Sequence, residues 1–212
     1  MRSLSCVLVR EGPSDDWFLP VVLQRALQDM CREFFPSCGE VQEIRSLPEA
    51  GNQHPDSVVR AIEAELGTFD VALYHHDGAP PAISDPVIKR MQGAWQEAGF
   101  QEPLVPVVPV RETEAWLLAD PEAIRSVLRV RKLPELGFGP ERVHSVPRPK
   151  EEFEAIVRQV AGRKAVGEHG IRDYVIRVGA TVQIDVLRRV PAFRDWWDEM
   201  IEALERLGYQ HG

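Results

Sequence analysis

Three short apolar runs, each leading directly into acid, constrain this chain more than any other feature. Residues 4–10 (LSCVLVR) stop at Glu11-Gly12-Pro13, residues 69–75 (FDVALYH) run into His76-Asp77-Gly78, and residues 103–110 (PLVPVVPV) run through Arg111 into Glu112-Thr113-Glu114. Short apolar runs closed by turn residues read as strands covered on both faces. Helical spacing lies between them. Over residues 14–35 Ser14 is a suitable N-cap, Asp15 and Asp16 fall where acids complement the helix dipole, and Leu19, Val22, Leu23, Ala26, Leu27 and Met30 make one apolar stripe. Residues 40–46 read as a weaker strand, 55–66 as a helix, and 84–98 as a helix stopped by Gly99. The order over residues 1–110 is β-α-β-α-β-α-β, which predicts a mainly parallel sheet flanked by helices. The prolines of 103–110 suit an edge strand.

The remainder reads as helical. Two short pieces break at Asp120-Pro121, an N-cap followed by proline at the first helical position. Residues 149–161, a segment around 171–190, and 192–207 carry helical spacing, with 132–148 as the best loop between the two parts. The expected fold class is α/β: a mainly parallel, Rossmann-like sheet with a helical C-terminal extension. The expected division is 1–130 and 131–212, the second part packed on the first or merged with it into a single domain.

Composition excludes several classes. Five Trp, eight Phe and 44% hydrophobic residues are too apolar for a disordered chain. No apolar run approaches the ~18 residues of a membrane span, so no membrane is expected. Three cysteines without paired spacing do not make a disulfide framework; Cys6 lies in a strand-like run and is expected to be buried and inert. The first residues lack the long apolar segment of a signal peptide. A reduced, cytoplasmic protein is the expectation.

The net charge of −8 is unevenly spread. Residues 1–100 hold 8 basic and 15 acidic side chains, whereas 123–177 hold 12 basic and 7 acidic. An acidic chain is a poor non-specific polyanion binder. A basic stretch beside an acidic body can hold a phosphate backbone while the acids hold metal. Ordinary solvated charge is the alternative.

In an open α/β sheet the ligand site lies outside the carboxyl ends of the strands. Parallel strands would therefore bring Glu11, Asp77 and Glu112 or Glu114 to one edge. Crowded carboxylates repel, and a divalent cation such as Mg²⁺ or Mn²⁺, with its preference for oxygen ligands, is the natural partner. Arg111 at that edge can contact phosphate or pair with a carboxylate. Asp15 is a further ligand candidate, against the plain reading as a helix-start acid. His75 and His76 are strand neighbours, so a regular strand presents only one of them to the site. The groups Arg129, Arg131, Lys132 and Arg163, Lys164 can bind a backbone. Asp120 reads as an N-cap, and Trp196-Trp197 as core or interface. No P-loop, G-x-G-x-x-G, H-E-x-x-H, G-x-S-x-G or paired C-x-x-C occurs.

E-G-P-S-D-D followed by W-F-L-P resembles the first motif of Toprim domains, a strand-end Glu-Gly before a helix. H-H-D-G resembles their second motif, an Asp-x-Asp pair after a strand. R-E-T-E-A-W-L-L-A-D, P-K-E-E-F and Q-I-D-V-L-R-R-V-P-A-F resemble later elements of a Toprim-like family of unknown function, related to the nuclease domains of the OLD family. The likeness spans most of the chain.

The resemblance implies metal-dependent phosphodiester chemistry on DNA or RNA, as in the Toprim nucleases. It implies Glu11 as general acid/base or metal ligand and Asp77 as the second Asp of the pair. It implies Glu112 or Glu114, with Asp15, in the metal shell, and Lys150 as a phosphate-binding, catalytic lysine. An ATPase partner in phage defence is implied as well, and self-association is compatible with it. No topoisomerase tyrosine context is evident. One departure stands out: His75 occupies the place of the first Asp. Imidazole favours softer ions than Mg²⁺, so the metal preference has moved, one metal site is lost, or the domain is degenerate. The alternatives are a non-catalytic binding or regulatory subunit of an ATPase complex, and phosphoryl transfer on a small nucleotide.

Overall fold

The computed structural model describes residues 2–47, 54–78, 81–162 and 168–212. The first apolar run forms β1 (Arg2–Leu4) and β2 (Cys6–Val9). They are separated at Ser5, whose N–H and Oγ both donate to the Asp70 carboxylate at 2.8 Å. The second ladder is split too, into β3 (Cys38–Val41) and β4 (Arg45–Leu47), where one strand over 40–46 was expected. β5 is Val71–His75 and β6 is Leu104–Val107.

Every strand pairing among the described residues is parallel. β1 pairs with β3, and a four-stranded sheet runs in the order β4-β2-β5-β6. β6 is an edge strand, as its prolines predict. The register sets Val9 beside Tyr74 and His75 beside Val107, so three strands end level with one another.

β2, β5 and most of β6 are buried on both faces, which explains their unbroken apolar sequence, while β1, β3 and β4 are largely exposed. Cys6, Leu8, Val71, Leu73, Val105 and Val107 face one cluster; Val7, Val9, Ala72 and Tyr74 face the other. The smaller cluster is closed by Val58 and Ile62 of α2 (Pro55–Glu63) and Met91 and Trp95 of α3 (Pro81–Glu97). The larger is closed by α1 (Leu19–Phe34) and the helices after the sheet: α4 (Glu114–Leu118), α5 (Pro121–Leu128), α6 (Pro149–Ala161), α7 (Glu168–Thr181), α8 (Ile184–Leu187) and α9 (Pro191–Arg206).

The C-terminal residues share the sheet's own core. Trp116 of α4 meets Phe193 of α9 edge-on at 5.0 Å between ring centroids, Phe193 lies 5.1 Å from Trp196, and α9 packs on β6. Trp196 and Trp197 are therefore core. Cys6, Cys31 and Cys38 are free thiols, with Cys6 buried. No helix among the described residues is long and apolar enough to cross a membrane.

The helix expected over 14–35 is divided. Residues Pro13–Trp17 form a 3-10 turn, and α1 begins only at Leu19, with Phe18 buried at the break. Ser14 is not the cap of α1; Phe18 takes that position without a side-chain bond. The physical reason lies in Asp15, whose carboxylate folds back onto the turn.

Candidate functional site

Asp15 Oδ2 accepts the backbone N–H groups of Gly12, at 2.7 Å, and Glu11, at 3.1 Å. This hooks the chain leaving β2 into a tight turn and holds Asp15 almost fully buried. Its other oxygen, Oδ1, lies 3.5 Å from His75 Nε2. Asp15 is thus more than a helix-start acid.

Glu11 reaches across from β2 to β5. Its Oε2 accepts the backbone N–H of Asp77 at 2.6 Å and lies 3.3 Å from His76 Nδ1. His76 and that N–H hold the Glu11 carboxyl below its usual range, against the upward push of burial.

His75 closes the centre. It is fully buried, and its Nδ1 lies 2.9 Å from the Val107 carbonyl. A carbonyl only accepts, so Nδ1 carries a proton. Nε2 then faces Asp15 Oδ1, Asp77 Oδ1 and Thr113 Oγ1, each at 3.5 Å. Burial disfavours the imidazolium, yet Asp15 and Asp77 outweigh it and push the ring up to about 10. Burial likewise pushes Asp15 up, but His75 and the two N–H donors hold its carboxyl below the ordinary value.

Both histidines meet the acids, although strand alternation allows only one. His75 is the last residue of β5, and His76 has left the strand, with its N–H still donating to Val107 O at 3.2 Å. Thr113 is a site residue that the motif reading passed over; it is buried against the His75 ring. Its position inside R-E-T-E was the available signal.

Asp77 sits on a loop held by Gly78, whose N–H donates to Pro109 O at 2.8 Å and whose carbonyl accepts from Arg111 N. A Cβ on Gly78 would collide with the Pro109 carbonyl, so only glycine fits. The loop places Asp77 Oδ1 buried without a hydrogen-bond partner. Arg111 is exposed and has a left-handed φ of 75°.

Glu112 and Glu114 differ in role. Glu112 Oε2 accepts the Lys150 N–H at 3.0 Å, so this carboxylate caps the first turn of α6 from outside the helix. Glu114 opens α4 half-buried. Burial pushes its carboxyl up to about 7; Lys150 pulls it down, while Glu112 and Asp77 add to the rise. Those influences place Glu114 in the electrostatic field of Asp77 and Lys150. Asp120 lies elsewhere, as the N-cap of α5: it accepts Ala123 N at 3.1 Å and, through its other oxygen, Gln183 N at 2.9 Å. Arg129, Arg131 and Lys132 are exposed on and after the end of α5. Arg163 and Lys164 lie outside the described residues.

The donors suit a divalent cation in kind. They are mainly carboxylate oxygens with one imidazole whose Nδ1–H is fixed by a backbone carbonyl, the usual support of a ligating histidine. The buried Asp77 Oδ1 faces that ring at 3.5 Å, beyond ordinary hydrogen-bond length. Their placement is another matter: among the described residues, no group of three or more His, Cys, Asp or Glu side chains is arranged to hold a metal ion.

A family model described as "Domain of unknown function (DUF4276)" matches residues 10–201. No curated protein matches the chain. Among solved structures, the chain is similar to the C-terminal region of the Burkholderia pseudomallei OLD protein, at 12% identity and a TM-score of 0.43, covering 96% of this chain and 100% of that one.

Proposed function

The chain belongs to the DUF4276 family, and from that premise we propose that it is a divalent-metal-dependent nuclease whose active site is the carboxyl edge of the parallel sheet. One observation carries the reading. Glu11 and Asp77, from neighbouring strands, are tied at 2.6 Å, and the buried Asp77 Oδ1 meets only His75 Nε2, at a long 3.5 Å. Acids gathered at one point and only loosely paired repel one another, and a cation would offset that repulsion. The order of the Toprim-like motifs agrees with this use of the edge, and Mg²⁺ or Mn²⁺ is the proposed ion. The proposed setting is the cytoplasm, in a defence system with an ATPase partner.

Asp77, Asp15, Glu11 and His75 would hold the ion. When bound, it supplies Lewis-acid polarisation of a phosphate oxygen and acidification of a water. The residues of the chain do the rest. Glu11 fixes the Asp77 loop through its backbone N–H. Arg111 and Lys150 supply positive charge for the phosphate. Glu114, titrating near neutrality, can hold or release a proton at the reacting oxygen. Gly78 keeps the loop against β6, so Asp77 does not drift from Glu11.

The second reading, a non-catalytic binding or regulatory subunit, is favoured by His75. Its imidazolium stands between Asp15 and Asp77 and neutralises the charge that a metal would otherwise neutralise.

A cleavage assay separates the two. Plasmid, single-stranded DNA and total tRNA are incubated with the full chain in Mg²⁺, Mn²⁺ or EDTA, beside Glu11→Ala and Asp77→Ala. Metal-dependent cleavage lost in both variants supports the nuclease. No cleavage, together with no metal uptake by calorimetry, selects the subunit.

A further inference from the structure

Away from the carboxyl edge, α5 and the segment after it enclose a basin of about 770 Å³. Its rim carries Arg125, Arg131, Lys132 and Arg142 against only Glu122 and Glu135. Arg125 is already paired with Glu122 at 2.6 Å. Arg131, Lys132 and Arg142 are exposed, and their side chains make no hydrogen bond or ion pair among the described residues. In a chain of net charge −8, with acids in excess, three cations left without carboxylate partners around one concavity mark a place for an anion. Leu136 and Phe138 are among its lining residues and are half-buried against the main core. Cations and an aromatic ring therefore line one and the same concavity.

The basin is connected to the carboxyl edge through the chain itself. α5 follows α4, whose first residue is Glu114. Arg142 lies on a 3-10 turn, Pro140–Ser145, that packs on α4, and the chain continues from there to Lys150, bonded to Glu112.

We propose that this basin binds single-stranded nucleic acid, with the cations on the backbone and Phe138 against a base; the choice of polymer as ligand rests on the nuclease reading above. A duplex offers the protein a ridge of phosphates and keeps its base faces stacked inside. A single strand offers phosphate and base face together, which is what a basic rim beside an aromatic ring can take.

The test is fluorescence anisotropy with the full chain in EDTA. The probes are labelled single-stranded DNA, single-stranded RNA and duplex DNA of about 20 nucleotides, a length beyond one binding site. The triple variant Arg131→Glu, Lys132→Glu, Arg142→Glu is compared with wild type and with Arg60→Glu, an exposed cation on α2. Single-strand affinity is expected to fall at least about tenfold in the triple variant, with the log–log salt slope shallower by about 2, at ~0.7 per lost phosphate contact. Arg60→Glu should leave both unchanged, and Phe138→Ala should weaken binding without altering the slope. If the triple variant melts early, Arg131→Gln with Lys132→Gln should make the slope shallower by about 1.4, with less disturbance. Unchanged affinity, or a duplex bound as tightly as the single strand, overturns the proposal. Cleavage with unchanged affinity in the triple variant removes the basin and leaves the nuclease. Binding lost in the triple variant of a chain that cleaves nothing supports the basin and removes the nuclease.

Discussion

The backbone N–H of Asp77 donates to Glu11 Oε2 at 2.6 Å, so the loop after β5 is anchored by a side chain from the end of β2. Charge and hydrogen bonding can be separated at this contact. Glu11→Gln retains an acceptor for Asp77 N–H, while Glu11→Ala leaves none. In the nuclease reading both should abolish cleavage. Only the alanine should lower stability noticeably, by about 1 kcal/mol, the net worth of such a bond at a partly exposed site. Thermal melts beside cleavage rates check this; cleavage by Glu11→Gln at the wild-type rate would remove Glu11 from the chemistry.

His75 should be an imidazolium in the metal-free protein at neutral pH. Its value of about 10 lies above the ordinary ~6.5. Its share of stability is therefore complete below about pH 6.5 and is lost as pH rises through about 10. Imidazole NMR in EDTA reads it directly. Asp77→Asn should move the titration downward, since one of the two carboxylates is gone. A wild-type midpoint near 6.5 would contradict the arrangement.

The same proton opposes metal. A cation taken up at Nε2 must displace it, so apparent affinity should rise by up to about tenfold per pH unit on the acid side of that value. Calorimetry at two pH values, in buffers of different ionisation enthalpy, would show the released proton. Uptake without proton release would place the ion away from His75.

Glu114 should set a pH-dependent limb near neutrality. Its carboxyl is raised to about 7, chiefly by burial, so the folded state holds its proton where the unfolded chain does not. Stability contributed by the protonated form is lost as pH rises from about 4.5 through 7. Glu114→Gln should accordingly melt higher than wild type at pH 8, by several degrees for ~2 kcal/mol, and equally at pH 4. In the nuclease reading it should also flatten the rate profile near 7. Identical melts at both pH values would rule out a carboxyl raised by its burial.

Gly78→Ala should be disruptive despite its small size, because the new methyl meets the Pro109 carbonyl. Overpacking of this kind costs about 1–3 kcal/mol, and in the nuclease reading the displaced loop should take cleavage with it. A melt within a degree of wild type would mean the loop can rearrange freely.

The strands and their common edge were legible because burial on both faces writes itself as an apolar run. The acids at the run ends then needed only parallel pairing to meet. What escaped the sequence was set by contacts between distant residues. The break at Ser5 depends on Asp70, and the cap on α6 depends on Glu112. His76 could not be placed by alternation, because the rule lapses where the strand ends. The late start of α1 follows from Asp15 bonding backward to Glu11 and Gly12 rather than forward into a helix.

The contact between Trp116 and Phe193 has a consequence for the order of assembly. During synthesis, β6 and α4 leave the ribosome long before residues 191–206 exist. Until α9 arrives, Trp116 and the strand beside it lack their final apolar cover, and a nascent chain in that condition is open to mispairing and to capture by chaperones. The last helix completes the cover of the last strand, and a ribosome stalled ahead of it would hold a sheet still waiting for part of its core.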